Sequence, residues 1–493
     1  MSGVRDDGRD PAGGREARLQ SDDDGRDPTV GREARLPSDP SPRVRRVVAL
    51  VDTDSFAKWG SHLLATAPAH WEVDLLTVRT PRSASPAQLR SAFSGLDGRL
   101  AHLVTTQPHP LDVDTIVDLL RQDPPDAVLV SLIGPVAELV IEQVHRTVPR
   151  RPVLVTGLPG ISFPAKWKGV FLRARADLFV LHSHREVRAY QELARAGGVE
   201  PHFALATLPF AGRGGAVGDG TGPRDSVVFA AQPGVPSDRS DRRRIVGWLV
   251  ETARRHPEWR VVIKVRASPG EQQTHREQDP YPDLVPADAP ANLVVEGGPM
   301  SEHLDRAVAL VTVSSTAVLE AAARGVPALT LTDCGIGRPL INEVFVGSGL
   351  EGDARDLMDG RFGTVDPGWM HDNHFHPASD DDWVPRTEAL MALRDADVLV
   401  DRPPARRSRG GALRRAWERR NALGHDDGTL LGVVALVIGS PVRWAKRLAR
   451  RTRGWARPSE PAVRMTPTSQ RDRTRSEGPG DRREELVPGR DAG

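Results

Sequence analysis

The sequence predicts an α/β protein of two doubly wound parallel-sheet domains facing each other across a cleft. Three observations carry this. Short runs rich in Val, Ile and Leu alternate with helical periodicity in both halves, the pattern of strands covered by helices on both faces. A glycine-dense stretch from Ala211 to Pro223 separates the two series and reads as a linker. Residues 309–331 show strand, turn, helix and strand in one continuous stretch.

Folded sequence begins near Val44. Residues 47–51 form a short apolar strand, followed by Asp52-Thr-Asp-Ser-Phe-Ala-Lys-Trp-Gly60 and a helical stretch. Further strands are expected over 71–78, 127–132, 153–156 and 178–181, with helices over 111–122 and 135–146. After the linker come a strand over 227–231, a helix over 242–255, and strands over 260–265, 293–296, 309–313 and 328–331. In the last of these units, Ser314-Ser315-Thr316 caps a helix over 317–324 that Gly325 stops. The expected division is a first Rossmann-like domain over 44–210, a linker over 211–224 and a second Rossmann-like domain over 225–403. Ligands of such folds bind beyond the carboxyl ends of the strands, here between the two domains.

Composition narrows the function. A net charge of +1 gives no polyelectrolyte character, so nucleic acid is not an expected partner. One cysteine, Cys334, excludes an intrachain disulfide framework and is read as structural. The start has no apolar signal-like core, so a cytoplasmic location is expected. Residues 6–22 recur as 23–39 with 14 of 17 positions identical. This charged repeat cannot bury a core and, with 458–493, is expected to be disordered. Between them, 404–457 carries 14 arginines and lysines against three acids, around the apolar run 430–438 and three tryptophans. That run is too short to span a bilayer, for which about 20 residues are needed. The segment reads as either an amphipathic anchor on an anionic membrane surface or a helix packed on the domains.

Candidate chemistry gathers at the strand ends. Asp52 and Asp54 follow the first strand, where a carboxylate can take a proton from an acceptor hydroxyl or simply cap the next helix. Lys264 and Arg266 end a strand of the second half, and Thr274 and His275 lie in the loop beyond. Cations and an imidazole there would neutralise a departing phosphate. Ser314, Ser315 and Thr316 suit an anion, and Glu320, one turn on, suits ribose hydroxyls. His371, His374 and His376 stand near Asp372 and Asp380 to Asp382, but no helix or strand period supports a metal, and none is assigned.

These motifs carry a resemblance. Thr316-x-x-x-Glu320-x-x-x-x-Gly325-x-Pro327 in the second of two Rossmann-like halves resembles the nucleotide-sugar site of GT-B glycosyltransferases. Ser314-Ser315-Thr316 is similar to the serine/threonine motif that binds the phosphate of CMP-sialic acid in bacterial sialyl- and polysialyltransferases. Those enzymes pair it with a His-Pro motif at the end of an earlier strand, and the corresponding stretch here, Lys264 to His275, has none. The arrangement over 44–402 most resembles an actinobacterial group regarded as glycosyltransferases. The resemblance implies a metal-independent transferase without a resident cofactor, using a nucleotide-sugar donor. CMP-linked nonulosonic acid is the first choice of donor, CDP- or UDP-linked sugars the next. A glycan or lipid-linked acceptor for a cell-surface glycopolymer is implied, at the inner face of the membrane. Asp54 or Asp52 would be the base, with Lys264, Arg266, Thr274, His275, Ser314, Ser315, Thr316 and Glu320 around the nucleotide. A nucleotide-sugar 2-epimerase and a non-catalytic nucleotide-binding protein are the alternatives.

Overall fold

The computed structural model describes residues 43–106, 108–200, 202–208, 223–232, 234–265, 279–405 and 411–437. The tandem repeat, most of the glycine-dense linker and the chain beyond residue 437 lie outside the described residues. So do Arg266, Thr274 and His275.

Two six-stranded sheets form, and every strand pairing within them is parallel. The first contains β1 (Arg45–Val51), β2 (Trp71–Thr77), β3 (Ala127–Ser131), β4 (Val153–Gly157), β5 (Leu178–Leu181) and β6 (Phe203–Leu205), in the order β2-β1-β3-β4-β5-β6. The second contains β7 (Ser226–Ala230), β8 (Arg260–Lys264), β9 (Leu293–Glu296), β10 (Ala307–Thr312), β11 (Ala328–Leu331) and β12 (Glu351–Gly352), in the order β12-β11-β10-β7-β8-β9. Strand order therefore reverses between β1 and β3 in one sheet and between β7 and β10 in the other. These reversals are the crevices where doubly wound sheets bind ligands.

Burial on both faces explains the continuous apolar runs. In β1, Val47, Ala49 and Val51 pack with Trp59 and Leu63 of the helix Asp54–Ala65, while Val48 and Leu50 pack with Ile116, Val140 and Val144 on the other face. The second sheet repeats the arrangement. Val228 and Leu310 meet Val318 and Leu319 of the helix Ala317–Ala323, and Val227 and Phe229 meet Ile245 and Leu249 of the helix Arg239–Arg255. Gly157 closes β4 because Trp59 leaves no room: a Cβ there would lie 2.4 Å from the indole ring.

One expected boundary is corrected. Residues 383–402, assigned from sequence to the second domain, pack on the first. The helix Trp383–Asp395 sends Trp383 and Met391 into the core beneath β1 and β4. The segment after it is tied down by Arg151, which bonds both oxygens of buried Asp177 (2.7 and 3.0 Å) and reaches Asp401 at 2.7 Å. Apolar packing against the first sheet, together with that ion cluster, outweighs chain order. The segment after 404 divides as well. In the helix Ala412–Leu423, Ala422 and Leu423 join the first domain's core. The helical stretch 430–437 instead leaves Leu430 85% and Val437 68% exposed. Among the described residues no helix is long and apolar enough to cross a membrane.

Candidate functional site

Segments beyond the carboxyl ends of β4, β5 and β11 meet one another. Ile161 and Phe163, after β4, pack against the second domain's core. Arg185, after β5, donates to the Val344 carbonyl in the segment after β11 (2.9 Å) and lies over the Phe163 ring. The carboxyl edges of both sheets thus border the interdomain region, and those sequence-predicted site residues that lie among the described residues can be placed along them.

At the first crevice Asp52 is fully buried. Its carboxylate accepts the backbone N–H of Thr53 at 2.7 Å and of Ile133, beyond β3, at 3.0 Å. Burial pushes its pKa up to about 6, opposed by those two bonds and by the charge of Arg173. Arg173 is itself buried, donates to the Leu132 carbonyl at 2.7 Å, and is pushed down to about 10 by desolvation. Asp52 therefore bridges the strand reversal and offers no open face to an acceptor. Asp54 differs. It begins the helix Asp54–Ala65, is half-buried, and among the described residues its carboxylate accepts only one long hydrogen bond, from the Ser55 hydroxyl at 3.5 Å. Of the two carboxylates, only this one is open to solvent.

A third group lines the same edge. Trp59 Nε1–H donates to His182 Nε2 at 2.5 Å, so the His182 proton sits on Nδ1 and is donated to the Ala206 carbonyl at 2.8 Å. Burial holds His182 down at about 4, the neutral form. Glu186 is buried and accepts the backbone N–H of Ser162 (2.6 Å) and of His182 (3.1 Å), while burial raises its pKa. His374, also buried, places Nε2 3.9 Å from Glu186 and is pushed down to about 3 by desolvation. Sequence reading missed His182. The signal was there, in an imidazole directly after the apolar strand 178–181.

The second crevice is spanned in the same way. The Ser314 hydroxyl donates to Gln232 Oε1 at 2.6 Å, and Gln232 Nε2 donates to the Ser314 carbonyl at 3.1 Å. These residues follow β10 and β7, so the pair ties the two sides of the reversal. Ser314 is 4% exposed and its proton is committed. Ser315 Oγ accepts from Ala317 N at 3.2 Å and keeps its proton for another partner. Thr316 is exposed. Glu320 is half-buried, with Arg324 at 3.9 Å. Lys264 closes β8 with its carbonyl accepting from Ala231 N at 3.0 Å. The structure thus places Lys264, Ser314, Ser315 and Thr316 at the carboxyl ends of β8 and β10, the two strands that flank β7. The histidine trio, by contrast, divides: His374 and His376 are buried, and only His371 is exposed.

The family model described as "Putative glycosyltransferase (DUF6716)" matches residues 47–390, and the chain belongs to that family. No match was found among curated proteins. Among solved structures, the chain is similar to a putative UDP-N-acetylglucosamine 2-epimerase from Listeria monocytogenes, with 13% identity over 74% of this chain and 100% of that one, TM-score 0.46. It is similar to UDP-GlcNAc 2-epimerase from Neisseria meningitidis bound to UDP-GlcNAc, with 10% identity over 71% and 99%, TM-score 0.45. A third similar structure is apo UGT2 of Phytolacca americana, with 12% identity over 72% and 96%, TM-score 0.38.

Proposed function

We propose that the chain transfers a sugar from a nucleotide-sugar donor to a glycan or lipid-linked acceptor, as a GT-B enzyme whose chemistry needs no metal. The observation that carries this is the family match over residues 47–390, which takes in both sheets and the region between them. Asp54 is the base that receives the acceptor proton. Lys264, with Arg266 and His275, offsets the charge of the departing nucleotide, and Ser315, Thr316, Thr274 and Glu320 hold it. Ser314 shapes the site through Gln232. The serine/threonine run favours a CMP-linked nonulosonic acid as donor, ahead of CDP- and UDP-linked sugars. Thermal shift against CMP, CDP, UDP and GDP, followed by turnover of the matching sugar nucleotide with and without acceptor, tests the reading. Interconversion of a UDP-sugar at C2 without acceptor would establish an epimerase instead, and binding without any turnover a non-catalytic protein.

The hydroxyl assignment gives a sharper expectation. Ser315→Ala/Thr316→Ala removes two hydroxyls close to the proposed phosphate while leaving the Ser314–Gln232 bridge intact. Nucleotide affinity should fall by about 1–3 kcal/mol, the size of lost hydrogen bonds to a charged group. Calorimetry returning wild-type affinity for the folded variant would remove these hydroxyls from the site.

The exposed apolar residues of 430–437, with the basic stretch that follows, support attachment to an anionic membrane surface at the site of glycopolymer synthesis. A chain ending at Thr429 keeps the docked helix Ala412–Leu423. It should lose cosedimentation with anionic vesicles, which the full chain should show and lose in high salt. Equal cosedimentation of the two chains would refute the attachment.

A further inference from the structure

We propose that His184, His371 and Asp380 form a divalent-metal site of the zinc class that clasps the two domains, separate from the transfer chemistry. One ligand atom from each lies within 4.8 Å of the others. His184 Nε2 is 3.1 Å from Asp380 Oδ2, and His371 Nε2 is 3.9 Å from the same oxygen. The two imidazoles lie nearly parallel, at 17° with centroids 5.4 Å apart. Two imidazole nitrogens around one carboxylate oxygen make a donor set suited to Zn²⁺, with water completing the shell. Metal–ligand distances of about 2.0–2.2 Å place ligand atoms about 3–3.5 Å apart, so only the exposed His371 ring must move, by roughly 1 Å.

The three ligands come from three separately anchored segments. His184 begins the helix His184–Ala196 of the first domain, beyond β5, with Ser183 as its cap. His371 lies on the helix Pro367–Asp372, which is fixed to the second domain by buried Trp369, whose indole N–H donates to the Val344 carbonyl at 3.0 Å. Asp380 lies on the return connection. Its neighbour Asp381 accepts from Thr207 N at 2.6 Å, and Asp382 accepts from Leu205 N at 2.7 Å. Each segment is anchored by contacts of its own, so the cluster is organised in advance.

A second observation points to the same place. His376 stands edge-on to His184, with centroids 5.3 Å apart, and is buried. Its Nε2 pairs with Asp381 at 2.9 Å, while its Nδ1 is buried with no hydrogen-bond partner among the described residues. A polar wall of this kind beside two imidazoles and a carboxylate serves an ion better than an apolar contact. The neighbouring cation Arg188 is paired with Asp372 at 2.7 Å, which lowers its repulsion toward a bound cation. None of these groups enters the proposed transfer chemistry.

The test uses the untagged full-length chain, stripped with chelator and titrated with Zn²⁺ alone. Calorimetry should show binding at a single site, and thermal unfolding should shift upward with added Zn²⁺. His371→Ala and Asp380→Asn should each weaken Zn²⁺ affinity by about 10-fold or more. Both side chains reach the surface, so the stripped variants should unfold close to the stripped wild type. Zn²⁺ affinity unchanged in both folded variants, or no Zn²⁺-dependent shift in the wild type, would overturn the site. A loss of stability in both stripped variants with no Zn²⁺ effect in the wild type would also overturn it, leaving a clasp made by the Asp380 contacts alone.

Discussion

Asp54→Asn is expected to lower turnover about 100-fold while leaving nucleotide affinity nearly unchanged. The substitution keeps the size of the side chain and removes only its basicity. No backbone bond is lost, because the Asp54 carboxylate accepts none. Asp52→Asn should behave differently. The two Asp52 oxygens accept the N–H groups of Thr53, the next residue, and of Ile133, across the β1–β3 reversal, and an amide can satisfy only one of them. Its effect should therefore appear as lost stability of about 1–3 kcal/mol in denaturant unfolding. Measuring kcat, nucleotide affinity and unfolding for both variants separates the two roles. Normal turnover in Asp54→Asn with donor and acceptor saturating would move the base elsewhere, with Glu186 and its neighbours next in line.

Arg151→Ala should cost about 3–5 kcal/mol of stability, more than the loss expected for Asp52→Asn. Asp177 is 1% exposed, and its carboxylate depends on two guanidinium bonds and on Leu154 N at 2.8 Å. Truncating the arginine strands that charge in the core and frees Asp401 and the Val400 carbonyl as well. Arg151→Met/Asp177→Asn removes the charge pair together and should recover most of the loss. Equilibrium unfolding of the single and double variants measures both. A single variant within about 1 kcal/mol of wild type would show that the cluster contributes little.

Strands were legible wherever both faces are buried. Residues 178–181 and 328–331 fall where their apolar runs place them. The edge strands β6 and β12, of three and two residues, are too short to show a period and exist because a neighbour supplies the ladder. The helix Trp383–Asp395 was not read from the sequence, and its contact could not be, because its partners Ala49 and Val155 lie hundreds of residues earlier. The candidate site shows the same limit. Strand-end positions of Asp52, Asp54, Lys264 and Ser314 follow from local sequence. Which aspartate is sealed, and which serine is committed, depends on Ile133 and Gln232 arriving from other strands. Likewise, His184 joins His371 and Asp380 only through folding.

The return of the Trp383–Asp395 helix to the first sheet makes the second domain an insertion in the first. Its two junctions touch, since Asp382 N donates to the Leu205 carbonyl at 3.0 Å and Leu205 N donates back to the Asp382 carboxylate at 2.7 Å. The second domain is therefore a cassette: a different domain could occupy the same two junctions without any change to the core that holds Asp54.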